Sequence, residues 1–239
     1  MVTAVIVAGG KGTRMGPNRD KLFLELAGQP VVAHTWRKFE TAPSIDAIVI
    51  AVREGMQNAF LELASEYNFR KPVKVVAGGV ERQDSVWNGL QAMDAQSEIV
   101  AIHDAARPCV THDLIAQTIQ AARETGAAVA AQLVVDTIKE TSDGTLITRT
   151  VDRSQLRSVQ TPQTFRVEVI RRAIATAKNR GLNLTDDTAA CELIGQPVRL
   201  ITSADPNPKV TVPADLPYIE FLLRQGDAAN PKSEDRNPW

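Results

Sequence analysis

Thr3-Ala4-Val5-Ile6-Val7-Ala8, followed directly by Gly9-Gly10-Lys11-Gly12-Thr13-Arg14-Met15-Gly16, is the stretch on which the fold turns. A short apolar run without polar alternation predicts a strand covered on both faces, as in a parallel sheet, and the glycines end it. Comparable runs recur at Ala47–Val52, Val73–Ala77, Ile99–Ile102 and Ala127–Val135. Helical periodicities separate them, at Val31–Glu40, Met56–Tyr67, Gln83–Met93 and Leu114–Glu124. Strand and helix in this alternation predict a Rossmann-like α/β fold with a doubly wound, mostly parallel sheet.

After Val135 the rhythm changes. Residues 136–151 read as two short β segments about Ser142-Asp143-Gly144, a turn sequence, and predict a protruding β-hairpin arm. Helical patterns resume at Val167–Lys178 and at Asp186–Ile194, the second with Thr185 as its N-cap, and Pro213 opens a last helix over Ala214–Arg224. The expected organisation is one domain over residues 1–225 with the arm at about 136–160. The polar segment 226–239 is expected to be a disordered tail.

Composition narrows the function. The 239 residues carry 27 basic and 28 acidic side chains, a formal charge of −1, which argues against a broad nucleic-acid-binding face. It leaves room for a small anionic substrate held by a local cluster. The 2 cysteines, Cys109 and Cys191, form neither a disulfide scaffold nor a metal-ligand spacing. No basic leader precedes the first strand and no apolar run reaches the roughly 18 residues of a membrane span, so a cytoplasmic enzyme without a membrane partner is expected.

A glycine-rich turn after a first parallel strand is a common phosphate site, because bare amides converge there. Two known versions fail. The dinucleotide fingerprint needs a third glycine where Met15 stands, and no alignment of the stretch yields the Gly-Lys-Ser/Thr of a Walker loop. What remains is a glycine loop with its own cations, Lys11, Arg14 and Lys21, which is either an anion cradle or a tight turn with solvated charges.

VAGGKGTRMG with Lys21, then GGVERQDSV, HDAARPC, DTIK, TVDRSQL, TPQTF, TDDTAA and PKVT, in that order, resemble the 2-C-methyl-D-erythritol 4-phosphate cytidylyltransferases of the non-mevalonate isoprenoid pathway. The likeness spans about residues 2–224 and implies a sheet of the nucleotide-diphospho-sugar transferase type. The implied reaction is attack by a sugar-alcohol phosphate on the α-phosphorus of CTP, with release of pyrophosphate. A phosphate monoester is already largely dianionic at pH ~7, so no general base is needed. Catalysis falls to cations, backbone amides and Mg²⁺ or another divalent cation, the metal carried mainly by the CTP phosphates and not by a ligand set of the protein.

Carried over residue by residue, the resemblance makes Arg14 and Lys21 the stabilisers of transition-state charge. Arg153 and Lys209 would position the methylerythritol phosphate. Asp104, Arg107, Thr137, Thr161 and Thr185 would bind that substrate. Ala8, Gly9, Gly10, Gly12, Gly79, Ser85, Asp104 and Ala105 would hold the nucleotide. It further implies a homodimer in which the 136–160 arm is exchanged, so that Thr137 and Arg153 act on the neighbour's site. Read without the resemblance, Arg153 is a solvated arm residue, Thr137 a strand residue and Thr185 a helix cap. His103 reads as a structural, hydrogen-bonded residue and Cys109 as a packing residue. The chain departs from the family's usual pattern at Leu22 and Val80, where Gln and an acidic residue are common. Three alternatives stand beside this reading: a pentitol-phosphate cytidylyltransferase, an NADP-dependent oxidoreductase prompted by Arg53 after the second strand, and a nucleotide-binding module without catalysis.

Overall fold

A computed structural model describes residues 1–10 and 20–228. The readings at Lys11, Gly12 and Arg14, and the tail beyond Ala228, lie outside the described residues. The chain runs β1 (Val2–Ala8), β2 (Glu25–Leu26), β3 (Gln29–Pro30), α1 (Val31–Thr41), β4 (Ala47–Val52), α2 (Gln57–Glu66), β5 (Val73–Ala77), α3 (Arg82–Ala92), β6 (Ile99–Asp104), α4 (His112–Thr125) and β7 (Ala127–Leu133). It continues through β8 (Lys139–Thr141), β9 (Ile147–Thr150), β10 (Arg157–Arg166), α5 (Val167–Asn179), α6 (Asp187–Leu193), β11 (Arg199–Thr202) and α7 (Leu216–Ala228).

The main sheet has 7 strands in the order β11-β7-β10-β6-β1-β4-β5. All its neighbours are parallel except β10, which runs antiparallel to both β6 and β7. Alternation along β1 and β4 divides the core. Ala4, Ile6, Ile48 and Ile50 pack on one face with α1, α2, α4 and α7, while Val5 and Val49 face α3, α5 and α6. The largest fully buried side chains, Trp36 and Phe39 of α1 among them, each contribute about 1.5–3 kcal/mol by leaving water. Capping sets element ends: the Thr111 side chain accepts the Leu114 amide at the start of α4, and Gly126, at φ 90°, closes that helix.

The β8–β9 hairpin forms where the turn sequence predicts it, with Lys139 paired to Thr150. Five expectations are corrected. The strand after α4 stops at Leu133, not Val135, and Thr137 lies between β7 and β8, in neither strand. Asp186, not Thr185, is the N-cap of α6, because its carboxylate accepts the Ala189 amide at 2.9 Å. Pro213 opens a 3₁₀ turn, Pro213–Asp215, in which the Asp215 carboxylate accepts the Thr211 and Val212 amides. The last helix then runs from Leu216 to Ala228, through the start of the segment expected to be a frayed tail.

Candidate functional site

Strand order reverses at β1: β4 and β5 extend the sheet to one side, and β6 is added on the other. In open α/β sheets such a switch point leaves a crevice at the carboxyl ends of the two central strands, where ligands bind. A cavity of about 310 Å³ opens there, lined by Ala8, Gly9, Asp104, Lys21, Ser85 and Lys209, among others. A second, of about 290 Å³, is lined by Arg107, Thr161, Thr185 and Asp186. Arg82, Asp104 and Lys209 line both.

The floor of the first cavity is backbone. The Ala105 amide donates to Val7 O at 3.0 Å and the Val210 amide to Ala106 O at 2.8 Å, which ties the ends of β1 and β6 to the segment carrying Lys209. Lys21 is buried and donates from Nζ to Val210 O at 3.0 Å. Beside it, Gly79 donates its amide to Ser85 Oγ at 3.0 Å, and that hydroxyl donates on to Glu81 O at 3.3 Å. The Ser85 proton is therefore spent inside the turn, and Ser85 shapes Gly79. A Cβ at Gly79 would fall 2.2 Å from Asp84 Cβ, so glycine is required for the chain to pass this close to α3. Val80 projects from the rim, 96 % exposed.

Asp104 is the electrostatic centre. Lys209 Nζ donates to its Oδ2 at 2.7 Å, Arg107 Nε lies 3.7 Å from the same oxygen, and Arg82 Nε donates to Oδ1 at 3.3 Å. Burial alone would push this carboxyl up; Arg82, Lys209 and Arg107 together hold it well below the usual carboxylate range. Beneath it, the Asp104 amide donates to Thr161 Oγ1 at 3.1 Å, and Asn207 Nδ2 donates to Thr161 O at 2.7 Å. Arg107 Nη1 donates to Asn207 O at 2.7 Å.

Ala8, Gly9, Gly10, Lys21, Gly79, Ser85, Asp104, Ala105 and Lys209 thus meet at the first cavity. Arg107, Thr161 and Thr185 meet at the second. Thr137 and Arg153 line neither. Thr137 is exposed, and Arg153, in the 3₁₀ turn Arg153–Gln155, is exposed and donates to Val135 O. Arg82, Asp187, Gln163 and Asn207 join the site without being singled out by the sequence pattern. Arg82 and Asp187 were visible inside GGVERQDSV and TDDTAA, whereas a buried Asn207 has no signal beyond lying just before Lys209. Arg53, the prompt for an NADP reading, is ion-paired with Asp20, whose carboxylate also accepts the Leu22 amide at 3.1 Å. Among the described residues no helix is long and apolar enough to cross a membrane.

Comparison with known proteins places this geometry. The family profile described as 2-C-methyl-D-erythritol 4-phosphate cytidylyltransferase matches residues 2–225. A protein of that name from Dehalococcoides mccartyi strain 195 is 43% identical over 225 residues, covering 94% of this chain and 97% of the relative. One from Alkaliphilus oremlandii is 40% identical over 226 residues, covering 93% and 94%. The crystal structure of 4-diphosphocytidyl-2C-methyl-D-erythritol synthase from Anaerococcus prevotii superposes with a TM-score of 0.83 at 27% identity, covering 93% of this chain and 96% of that one. A match that runs from β1 into α7, and so takes in every strand and both cavities, leaves no part of the site outside it: the chain belongs to the 2-C-methyl-D-erythritol 4-phosphate cytidylyltransferase family.

Proposed function

We infer that the chain transfers the cytidylyl group of CTP to 2-C-methyl-D-erythritol 4-phosphate, giving 4-diphosphocytidyl-2-C-methyl-D-erythritol and pyrophosphate in the non-mevalonate isoprenoid pathway. The observation that carries the reading is the convergence of Lys21, Lys209 and Asp104 on one cavity at the switch point, in a member of this family. Bringing one polyanion to another demands fixed cations, and the fold supplies them from distant parts of the chain.

In this reading the cavity at β1 and β6 takes the nucleotide. The backbone of Ala8, Gly9, Gly10 and Gly79 approaches it closely, and Lys21 faces the triphosphate. Arg14 and Gly12 belong to the same loop by the family resemblance. The second cavity takes the sugar-alcohol phosphate, with Arg107, Thr185 and Lys209 on its walls, and Thr161 holds the wall in place. Asp104, between the two, orients Lys209 and can accept from a hydroxyl of either ligand. The acceptor's phosphate dianion is the nucleophile and pyrophosphate leaves opposite it, so no proton need move.

Mg²⁺ enters with CTP. On the protein side Asp104 is already balanced by cations and Glu81 is exposed at the rim, so the phosphates would supply most of its ligands. When bound it neutralises phosphate charge near the reacting phosphorus. A cytoplasmic location suits a CTP-dependent step.

The homodimer is part of the same reading. Leu133, Val135, Leu146 and Ile147 leave 59–76% of their surface exposed at the end of β7, in the segment after it and on the hairpin, exposed apolar surface of the kind that marks protein interfaces. A partner chain covering it would bring Thr137 and Arg153 to the neighbouring cavities.

The test is to mix purified protein, Mg²⁺, CTP and 2-C-methyl-D-erythritol 4-phosphate and to measure pyrophosphate. Release is expected with this acceptor. Release with ribitol 5-phosphate instead would transfer the assignment to a pentitol-phosphate cytidylyltransferase, and binding of CTP without release from any acceptor would leave a nucleotide-binding module.

A further inference from the structure

Arg82 is the first residue of α3 and lines both cavities. Its guanidinium is split between two carboxylates: Nε donates to Asp104 Oδ1 at 3.3 Å and Nη1 to Asp187 Oδ2 at 2.8 Å. Asp187 is the first residue of α6 and only 2% exposed, and its amide donates to Gln163 Oε1 of β10 at 2.9 Å. The pair therefore joins α3 to α6 and β10 behind the wall that the two cavities share. In front of that wall Asp104 divides its oxygens, Oδ1 to Arg82 and Oδ2 to Lys209 and Arg107. A carboxylate with cations on both oxygens cannot turn without losing one of them.

We propose that the Arg82–Asp187 pair is a positioning device for nucleotidyl transfer, fixing the rotation of the Asp104 carboxylate and, through it, the place of the Lys209 ammonium. The proposal rests on the reaction inferred above. Asp187 has two effects. It draws one arm of the guanidinium away from Asp104, so that Arg82 grips one oxygen and leaves the other to Lys209. It also gives Arg82 a second carboxylate partner, so that an incoming triphosphate does not pull the arginine off Asp104. Lysine could not replace Arg82, because a point charge lacks the fork that reaches two carboxylates at once.

The experiment is a double-mutant cycle between Asp187→Asn and Lys209→Met, read as pyrophosphate release with CTP and acceptor varied separately. Asn keeps the size and an acceptor oxygen but removes the charge. D187N alone is expected to lower kcat about 10- to 100-fold, the range seen when a partner that orients an active group is removed. The KM for CTP should move little, Arg82→Lys should lose as much, and Asp187→Glu should recover part of the loss. In the K209M background D187N should cost almost nothing further, because the group it positions is gone. Independent, additive losses, or a D187N loss that disappears at an assay temperature where the variant is fully folded, would make the pair merely structural and overturn the proposal. A wild-type protein without turnover would fail the reaction itself. The positioning claim is then read from a crystal structure of D187N, where an unmoved Asp104 carboxylate refutes it and a rotated one, with Lys209 displaced, upholds it.

Discussion

Thr161 joins Asp104 to His103: its hydroxyl accepts the Asp104 amide at 3.1 Å and donates to His103 Nδ1 at 3.0 Å. His103 Nε2 in turn lies 3.1 Å from Arg107 O, a pure acceptor, which fixes the ring as the neutral tautomer protonated on Nε2. One buried hydroxyl thus orders both ends of the Asp104–Arg107 turn. Thr161→Val, nearly the same size, strands an amide and a ring nitrogen in the interior, at a cost of about 1–3 kcal/mol for each unpaired group. Urea unfolding should show that loss, and Thr161→Ser should recover most of it.

His103 also sets a pH dependence. Burial pushes its pKa down to about 4, because charging the ring inside the core is costly. The unfolded chain binds a proton near pH 6.5 and the folded chain does not, so the stabilisation is whole above that value and is lost as pH falls from 6.5 towards 4. The swing amounts to about 3 kcal/mol. His112 is lowered too, so the informative quantity is the difference between the wild type and His103→Asn. The urea midpoint of the wild type should fall more steeply over that window than the variant's.

Lys21 tests the cationic site. Lys21→Met keeps the buried stem and removes the charge, and pyrophosphate release should fall about 10²–10³-fold, the cost of one lost donor to transition-state charge. An unchanged rate would remove Lys21 from the chemistry.

Gly89 offers a control that concerns packing alone. A Cβ there would meet Val5 Cγ1 at 2.6 Å, where α3 lies against β1. Gly89→Ala should cost about 1–3 kcal/mol through overpacking. Val5→Ala in the same chain should return part of it by opening room for the new methyl, with thermal unfolding as the readout.

The arm makes a prediction by mixing. If Arg153 serves the neighbouring site and Lys21 its own, Arg153→Ala and Lys21→Ala chains are each inactive alone. Co-refolded, half the dimers hold one intact site, and about a quarter of wild-type activity should return. No recovery, with mixed dimers demonstrated by mass, would place both residues in the same chain's site.

How much of this was legible follows from what each segment must hide. β1 and β4 follow from continuous apolar runs, and β4 and β5 begin and end where the sequence places them. β10 has no strand signature. Its sequence, RSVQTPQTFR, is polar and has Pro162 at its centre, a residue that argues against a central strand because it lacks an amide hydrogen. The structure accommodates it with a register shift against β7 between Val159 and Gln163, and the polar side chains find partners in Thr118, Asp186 and His103. Thr161, Gln163, Thr164 and Phe165 of the TPQTF motif are buried in the sheet, and Thr161 and Gln163 also line the second cavity. The cations of the site were legible as residue types. Which carboxylate held them was not, since Asp104, Arg82 and Asp187 meet only when α3, β6 and α6 are packed.

The antiparallel strand has a consequence for biosynthesis. As the chain leaves the ribosome, β1, β4, β5 and β6 are complete well before Arg157 appears, and the outer edge of β6, Val100 to Ile102, waits as an open row of amides and carbonyls on an apolar strand. Such an edge invites pairing with any other nascent chain. The half built from β1, β4, β5 and β6 is therefore a poor candidate for independent life: a fragment ending before β10 should precipitate, and the order of synthesis makes the closing of one strand gap the event that renders this protein safe in a crowded cell.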